Sequence, residues 1–148
     1  MPCRKHVEKP SLSLLYADLE PQTAGEVIAR LDNLGVDYRV KGGAIYAESC
    51  AACHGAQLKG QPDWRRRTED GRMPAPPHDD SGHTWHHADR DLFTITKHGV
   101  GAVVPGYESD MPAFEGLLSD DEVKAVLAYI KTSWSERERG FQAEVSAG

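Results

Sequence analysis

The chain has 148 residues, 39% hydrophobic and 27% charged, a size that holds one domain or one domain with an extension. A net charge of −6 argues against a nucleic-acid binder, which needs basic surface to neutralise phosphates. No run of about 18 apolar residues offers a membrane-spanning helix. The acidity is uneven: residues 1–41 carry 6 basic and 6 acidic groups, whereas residues 42–148 carry 11 and 17.

The first stretch, "MPCRKHVEKPSLSLLYADLEPQ", has basic residues but no apolar core of a signal peptide. Residues 1–11 are polar and are expected to be disordered. "SLSLLYADL" (11–19) reads as a strand. "PQTAGEVIARLDNLG" (21–35) reads as a helix, with Pro21 in its first turn, an apolar stripe of Val27, Ile28, Leu31 and Leu34, and Gly35 just past its end. "VDYRV" (36–40) alternates like a strand, so the first 40 residues predict β-α-β.

From Gly42 the texture changes. "GGAIYAESCAACHG" predicts a short helix with Gly42, Tyr46 and Cys50 four apart on one face. Residues 60–91, rich in Pro, Gly, Asp and His, predict a long loop with room for one helical turn. "DRDLFTITKHG" (89–99) predicts a helix capped by Asp89 and stopped at Gly99. Residues 100–116 are irregular. "LSDDEVKAVLAYIKTSWSERERG" (118–140) predicts the strongest helix: Ser119 and Glu122 form a capping box, and Val123, Val126, Leu127 and Ile130 line one face beside Tyr129.

Three chemistries compete for Cys50, Cys53 and His54. A redox C-x-x-C follows a strand within a βαβ unit, and here a loop follows instead. A structural zinc site needs a second ligand pair, which only His83, His86 and His87 could supply. C-x-x-C followed at once by His is the signal for covalent attachment of a c-type haem. Two thiols one helical turn apart reach the two vinyl groups of a porphyrin, and the adjacent His comes under the iron. The haem reading is preferred.

Met111, in "SDMPAF" ahead of the last helix, is the expected sixth ligand, with Pro112 fixing the backbone beside it. The bland use of such a residue is core packing. Met73 is also Met-Pro but sits in a polar loop. His78, His83, His86, His87 and His98 are expected to be surface or propionate-facing groups, although "HDDSGHTWHH" has the composition to bind copper or zinc. Arg65, Arg66 and Arg67 read as a solvated run with a propionate contact as the sharper option, and Trp64 and Trp85 read as packing groups or propionate donors.

With "GGAIYAESCAACHG", "DMPAF" and "LSDDEVKAVLAYIKTSW" in place, residues 42–135 resemble a class I (mitochondrial-type) monohaem cytochrome c. The long loop and "PGYESDMPAF" further resemble an exported bacterial subgroup of that family. The resemblance implies a mainly α, class I cytochrome c helical fold around one covalently bound haem c, here with a short β-α-β-like N-terminal extension. It implies attachment through Cys50 and Cys53, iron ligation by His54 and Met111, and a crossing of the first and last helices at Gly42, with Tyr46 against Tyr129. Residues 12–46, "LSLLYADLEPQTAGEVIARLDNLGVDYRVKGGAIY", resemble a ring-building segment of the flagellar M-ring protein family. The two resemblances collide at "KGGAIYA", where one wants a strand and the other a helix, and the helix is expected to win.

The expected organisation is an extension over 1–41, a cytochrome c domain over 42–135 and a polar tail over 136–148. The expected function is one-electron transport by an iron-binding carrier, not an enzyme, that docks transiently with donor and acceptor redox proteins. The expected location is the periplasm or another exported compartment, even though no signal peptide is visible. That mismatch implies that the start lies elsewhere or that the N-terminus has been replaced. The alternative is an interaction module that docks residues 12–41 into a membrane ring. A third reading, a peroxidase-like or copper-assisted oxidase, requires a displaced Met111 or a second metal in the His-rich loop.

Overall fold

The computed structural model describes residues 38–148. The expected disordered start, the strand over 11–19 and the helix over 21–35 lie outside the described residues. The elements are α1 (Tyr38–Ser49), α2 (Ala51–His54), a 3-10 turn (Thr84–His86), α3 (Asp89–His98), a second 3-10 turn (Val100–Ala102), α4 (Asp120–Lys131) and α5 (Glu136–Ala147). No strand occurs among the described residues, and no helix there is long and apolar enough to cross a membrane. The mainly α expectation therefore holds for the cysteine-bearing region.

The strand expected over 36–40 is corrected at its described residues, because Tyr38–Val40 form the first turn of α1; residues 36 and 37 lie outside the described residues. Packing decides this. Ile45 and Tyr46 are buried on α1, and α1 lies against α4 more extensively than any other helix pair among the described residues. The crossing is at Gly42, where a Cβ would stand 2.1 Å from the Ala125 carbonyl oxygen and 2.8 Å from the Tyr129 Cβ. Only a residue with no side chain permits that approach. Tyr46 and Tyr129 then meet with ring centroids 5.4 Å apart. Local alternation loses to the burial of a helical face.

Helix α4 starts as expected. The Ser119 hydroxyl accepts from the Glu122 N–H, and the Glu122 carboxylate accepts from the Ser119 N–H at 2.9 Å. Val123, Ala125, Val126 and Ile130 are buried on its inner face. Burial of each Val or Ile there contributes about 1.5–3 kcal/mol relative to exposure. The single helix expected over 118–140 is in fact two, divided at residues 132–135. Trp134 turns inward at the break and is 2% exposed, and Ser135 opens a second capping box with Glu138. The segment expected as a polar tail over 136–148 is therefore mostly α5.

A buried polar cluster fastens α5 to the body. Gln142 is 2% exposed; its Nε2 donates to Asp89 Oδ1 at 2.8 Å and to the His87 carbonyl at 3.2 Å, and its Oε1 accepts from Lys131 Nζ at 2.9 Å. Lys131, buried, also pairs with Asp89, and burial pulls its pKa down despite that carboxylate. Asp89 was expected to cap α3, but Ala88 holds the cap position and Asp89 is the first helical residue. Its carboxylate answers the buried ammonium of Lys131, which would be far costlier to leave unpaired. Gly99 stops α3 as expected, at φ 87° with its N–H donating to the Ile95 carbonyl.

Candidate functional site

The three residues of the cysteine motif sit on one continuous helical path. The Cys50 N–H donates to the Tyr46 carbonyl, and the N–H groups of Cys53 and His54 both donate to the Cys50 carbonyl, at 3.2 and 3.0 Å. The two thiols are thus one turn apart. Cys50 is half-buried, Cys53 is exposed, and neither forms a disulfide. Burial, with Cys53 beside it, pushes the Cys50 thiol up to about 11.

His54 is 7% exposed, and its Nδ1 lies 2.8 Å from the Pro76 carbonyl oxygen. A carbonyl only accepts, so Nδ1 carries the proton and Nε2 keeps its lone pair. Burial pulls the pKa of His54 down, against a smaller opposing effect of the Pro76 bond. The ring is therefore held neutral with Nε2 ready to bind a metal, and a carbonyl behind Nδ1 is the partner that metal-bound imidazoles commonly have.

The chain that carries Pro76 is clamped between two glycines. A Cβ on Gly60 (φ 69°) would stand 2.5 Å from the Pro77 nitrogen and 2.6 Å from the Pro76 carbonyl carbon. A Cβ on Gly82 would stand 2.0 Å from the Pro77 oxygen. Backbone bonds complete the clamp: Gly60 N–H to the His54 carbonyl, Gln61 N–H to the Ala75 carbonyl and His78 N–H to the Leu58 carbonyl, at 2.8, 2.9 and 2.8 Å.

Met111 lies in the irregular stretch before α4 and is half-buried, its N–H donating to Ser109 Oγ at 3.1 Å. This stretch is attached to the body by Phe114 N–H to the Thr96 carbonyl, Glu115 N–H to the Lys97 carbonyl, and an Arg72–Asp110 ion pair. Phe114 is its buried anchor.

The histidines divide. His98 and His86 are exposed, as expected of surface groups. His83 stacks on Trp64, and its Nδ1 has no hydrogen-bond partner among the described residues. His78 departs from expectation: its ring stacks on that of His54 with centroids 3.9 Å apart and planes at 25°. Burial pushes its pKa down to about 3, so it is neutral. Among the described residues, no group of three or more His, Cys, Asp or Glu side chains is arranged to hold a metal ion. Arg65 lies over the Trp64 ring at 4.2 Å, and Arg65, Arg66 and Arg67 are exposed. Sequence reasoning missed Pro76, His78 and Trp134, whose Nε1 donates to the His78 carbonyl at 2.8 Å. The run Pro76-Pro77-His78 was visible, but nothing local showed which residue it faces.

The cytochrome c family model matches residues 40–134, a span that contains the whole arrangement just described. The chain belongs to the cytochrome c family. Membership implies a covalently bound haem c, and the donor set fits it: two free thiols one turn apart, followed by a buried neutral imidazole with its Nε2 lone pair available. The FliF N-terminal domain model matches residues 12–47. The two matches overlap at 40–47, and there the chain is helical, as the cytochrome c reading requires. No curated protein and no solved structure matches the chain.

Proposed function

We propose that this cytochrome c is a one-electron carrier, not an enzyme, whose haem is bound through Cys50 and Cys53 and whose iron is ligated by His54 and Met111. The His54–Pro76 geometry is the observation that carries the reading. It fixes the ligand tautomer within a family whose haem shuttles electrons. With His54 and Met111 both bound to it, the iron would have no position left for a substrate, and a thioether donor in a buried site would favour the ferrous state and raise the potential. The carrier domain is assigned to residues 42–135, with residues 1–41 as an extension that enters it through the first turn of α1 and 136–148 as a helical addition packed on it through Gln142. Covalent attachment in this family follows export, so the site of action is the periplasm or another exported compartment. Donor and acceptor are redox proteins that dock briefly, their encounter steered by charge.

The test is intact mass and a reduced-minus-oxidised spectrum of the chain made with an export signal and haem-maturation machinery, beside the Met111→Ala variant. The wild type should gain the mass of one haem and give a low-spin ferric spectrum with methionine-to-iron character. Met111→Ala should keep the mass, lose that character and fall in potential. Loss of no spectral feature in the variant would reject Met111 as ligand.

The match over residues 12–47 favours a second reading, in which residues 12–41 dock the chain into a ring assembly. Ring-sized oligomers of the intact chain, abolished by deletion of 12–41, would support it. A monomer in both forms would reject it.

A further inference from the structure

We propose that His78 is a positioning residue that sets the plane of the His54 ring, and through it the electronic ground state and potential of the haem iron. The inference rests on the haem reading above. The Pro76 bond holds one edge of the His54 ring, but a single hydrogen bond leaves the ring free to rock about its Nδ1···O axis. The stacked His78 ring removes that freedom, because at 3.9 Å and 25° it covers the flat face of its neighbour.

His78 is itself fixed from several sides. Its N–H donates to the Leu58 carbonyl at 2.8 Å. Its ring Nδ1 lies 2.8 Å from the hydroxyl of Thr84, a buried residue whose hydroxyl also reaches the Pro77 carbonyl at 3.4 Å. Its carbonyl accepts from Trp134 Nε1, and the Tyr46 ring meets it edge-on at 6.4 Å. The glycine clamp at Gly60 and Gly82 prevents the segment from sliding. A flexible or mobile side chain would need none of this. The plane of an axial imidazole determines how its π orbitals meet those of the iron. Its hydrogen bond determines how strongly it donates.

The test uses haem-loaded full-length protein and three variants: His78→Leu, which removes the flat ring; His78→Phe, which keeps it; and Thr84→Val, which keeps His78 but frees it. Readouts are the ferric electron paramagnetic resonance g values, the order of the haem methyl shifts in proton nuclear magnetic resonance, and the midpoint potential. His78→Leu should change the g values and the methyl order. Its potential should rise, as a tilted His54 loses its Pro76 bond. His78→Phe and Thr84→Val, which both keep a flat ring but lose the Thr84 bond, should each fall between wild type and His78→Leu. A loaded His78→Leu protein with wild-type g values and potential would overturn the proposal, and so would a His78→Phe protein as altered as His78→Leu. If His78→Leu does not fold, Thr84→Val decides: wild-type g values and methyl order in that variant would overturn the proposal. A wild type that takes up no haem would overturn the electron-carrier reading and this one with it; a loaded wild type beside unaltered variants overturns this one alone.

Discussion

His54 and Met111, the two proposed ligands, stand in regions built by different means. Around His54 every neighbour is fixed by a specific contact: a carbonyl behind the ring, an imidazole on its face, and two glycines that let three backbone segments touch. Around Met111 the chain is exposed at Asp110, Pro112 and Ala113, and at every position from 101 to 106. Two backbone bonds, the exposed Arg72–Asp110 and His98–Glu115 pairs and the buried Phe114 hold it. The contrast teaches that the protein alone fixes the orientation of the imidazole on the His54 side. On the Met111 side it supplies a half-buried thioether on a stretch held by fewer contacts.

Substitutions on the two sides should differ accordingly. The largest effect is expected at the attachment points. Cys50→Ala with Cys53→Ala should abolish covalent haem, read as loss of the haem adduct in denaturing mass spectrometry, whereas either single change should leave one link. Next comes Gly42→Val. Its side chain would overlap the Ala125 carbonyl, and spreading α1 from α4 should cost about 3 kcal/mol or more, measured by denaturant titration of the haem-loaded protein. The smallest effect is expected at Asp110→Asn in the Met111 loop. Its pair with Arg72 is exposed on both sides, so stability should change by less than about 1 kcal/mol. An Asp110→Asn protein as destabilised as Gly42→Val would break the contrast, since the Met111 loop would then be as tightly built as the His54 platform.

Legibility in the sequence follows the same division. Cys50, Cys53 and His54 were readable because all three chemical groups fall within one helical turn. The α4 start was readable because its capping box is local, and the Gly42–Tyr46–Tyr129 crossing because the resemblance supplied it. The second capping box at Ser135 and Glu138 was equally local but was read through as helix interior. The inward turn of Trp134 that makes room for it depends on the distant His78 carbonyl. Pro76 was not singled out, and His78 was expected at the surface or facing a propionate rather than against His54. Their meeting with His54 depends on Gly60 and Gly82, each of which allows an approach between segments that share no periodicity. Asp89 looked like a cap because composition shows a carboxylate at a helix start. It does not show Lys131 waiting beneath it.

The crossing at Gly42 joins the first helix of the matched segment to its last one. A chain delivered from its N-terminus therefore presents Cys50, Cys53 and His54 to its surroundings well before Ala125 exists to cover α1. Once α4 arrives, Ala125 and Tyr129 can pack over Gly42, so the contact that joins the two ends of the matched segment is among the last the chain can make.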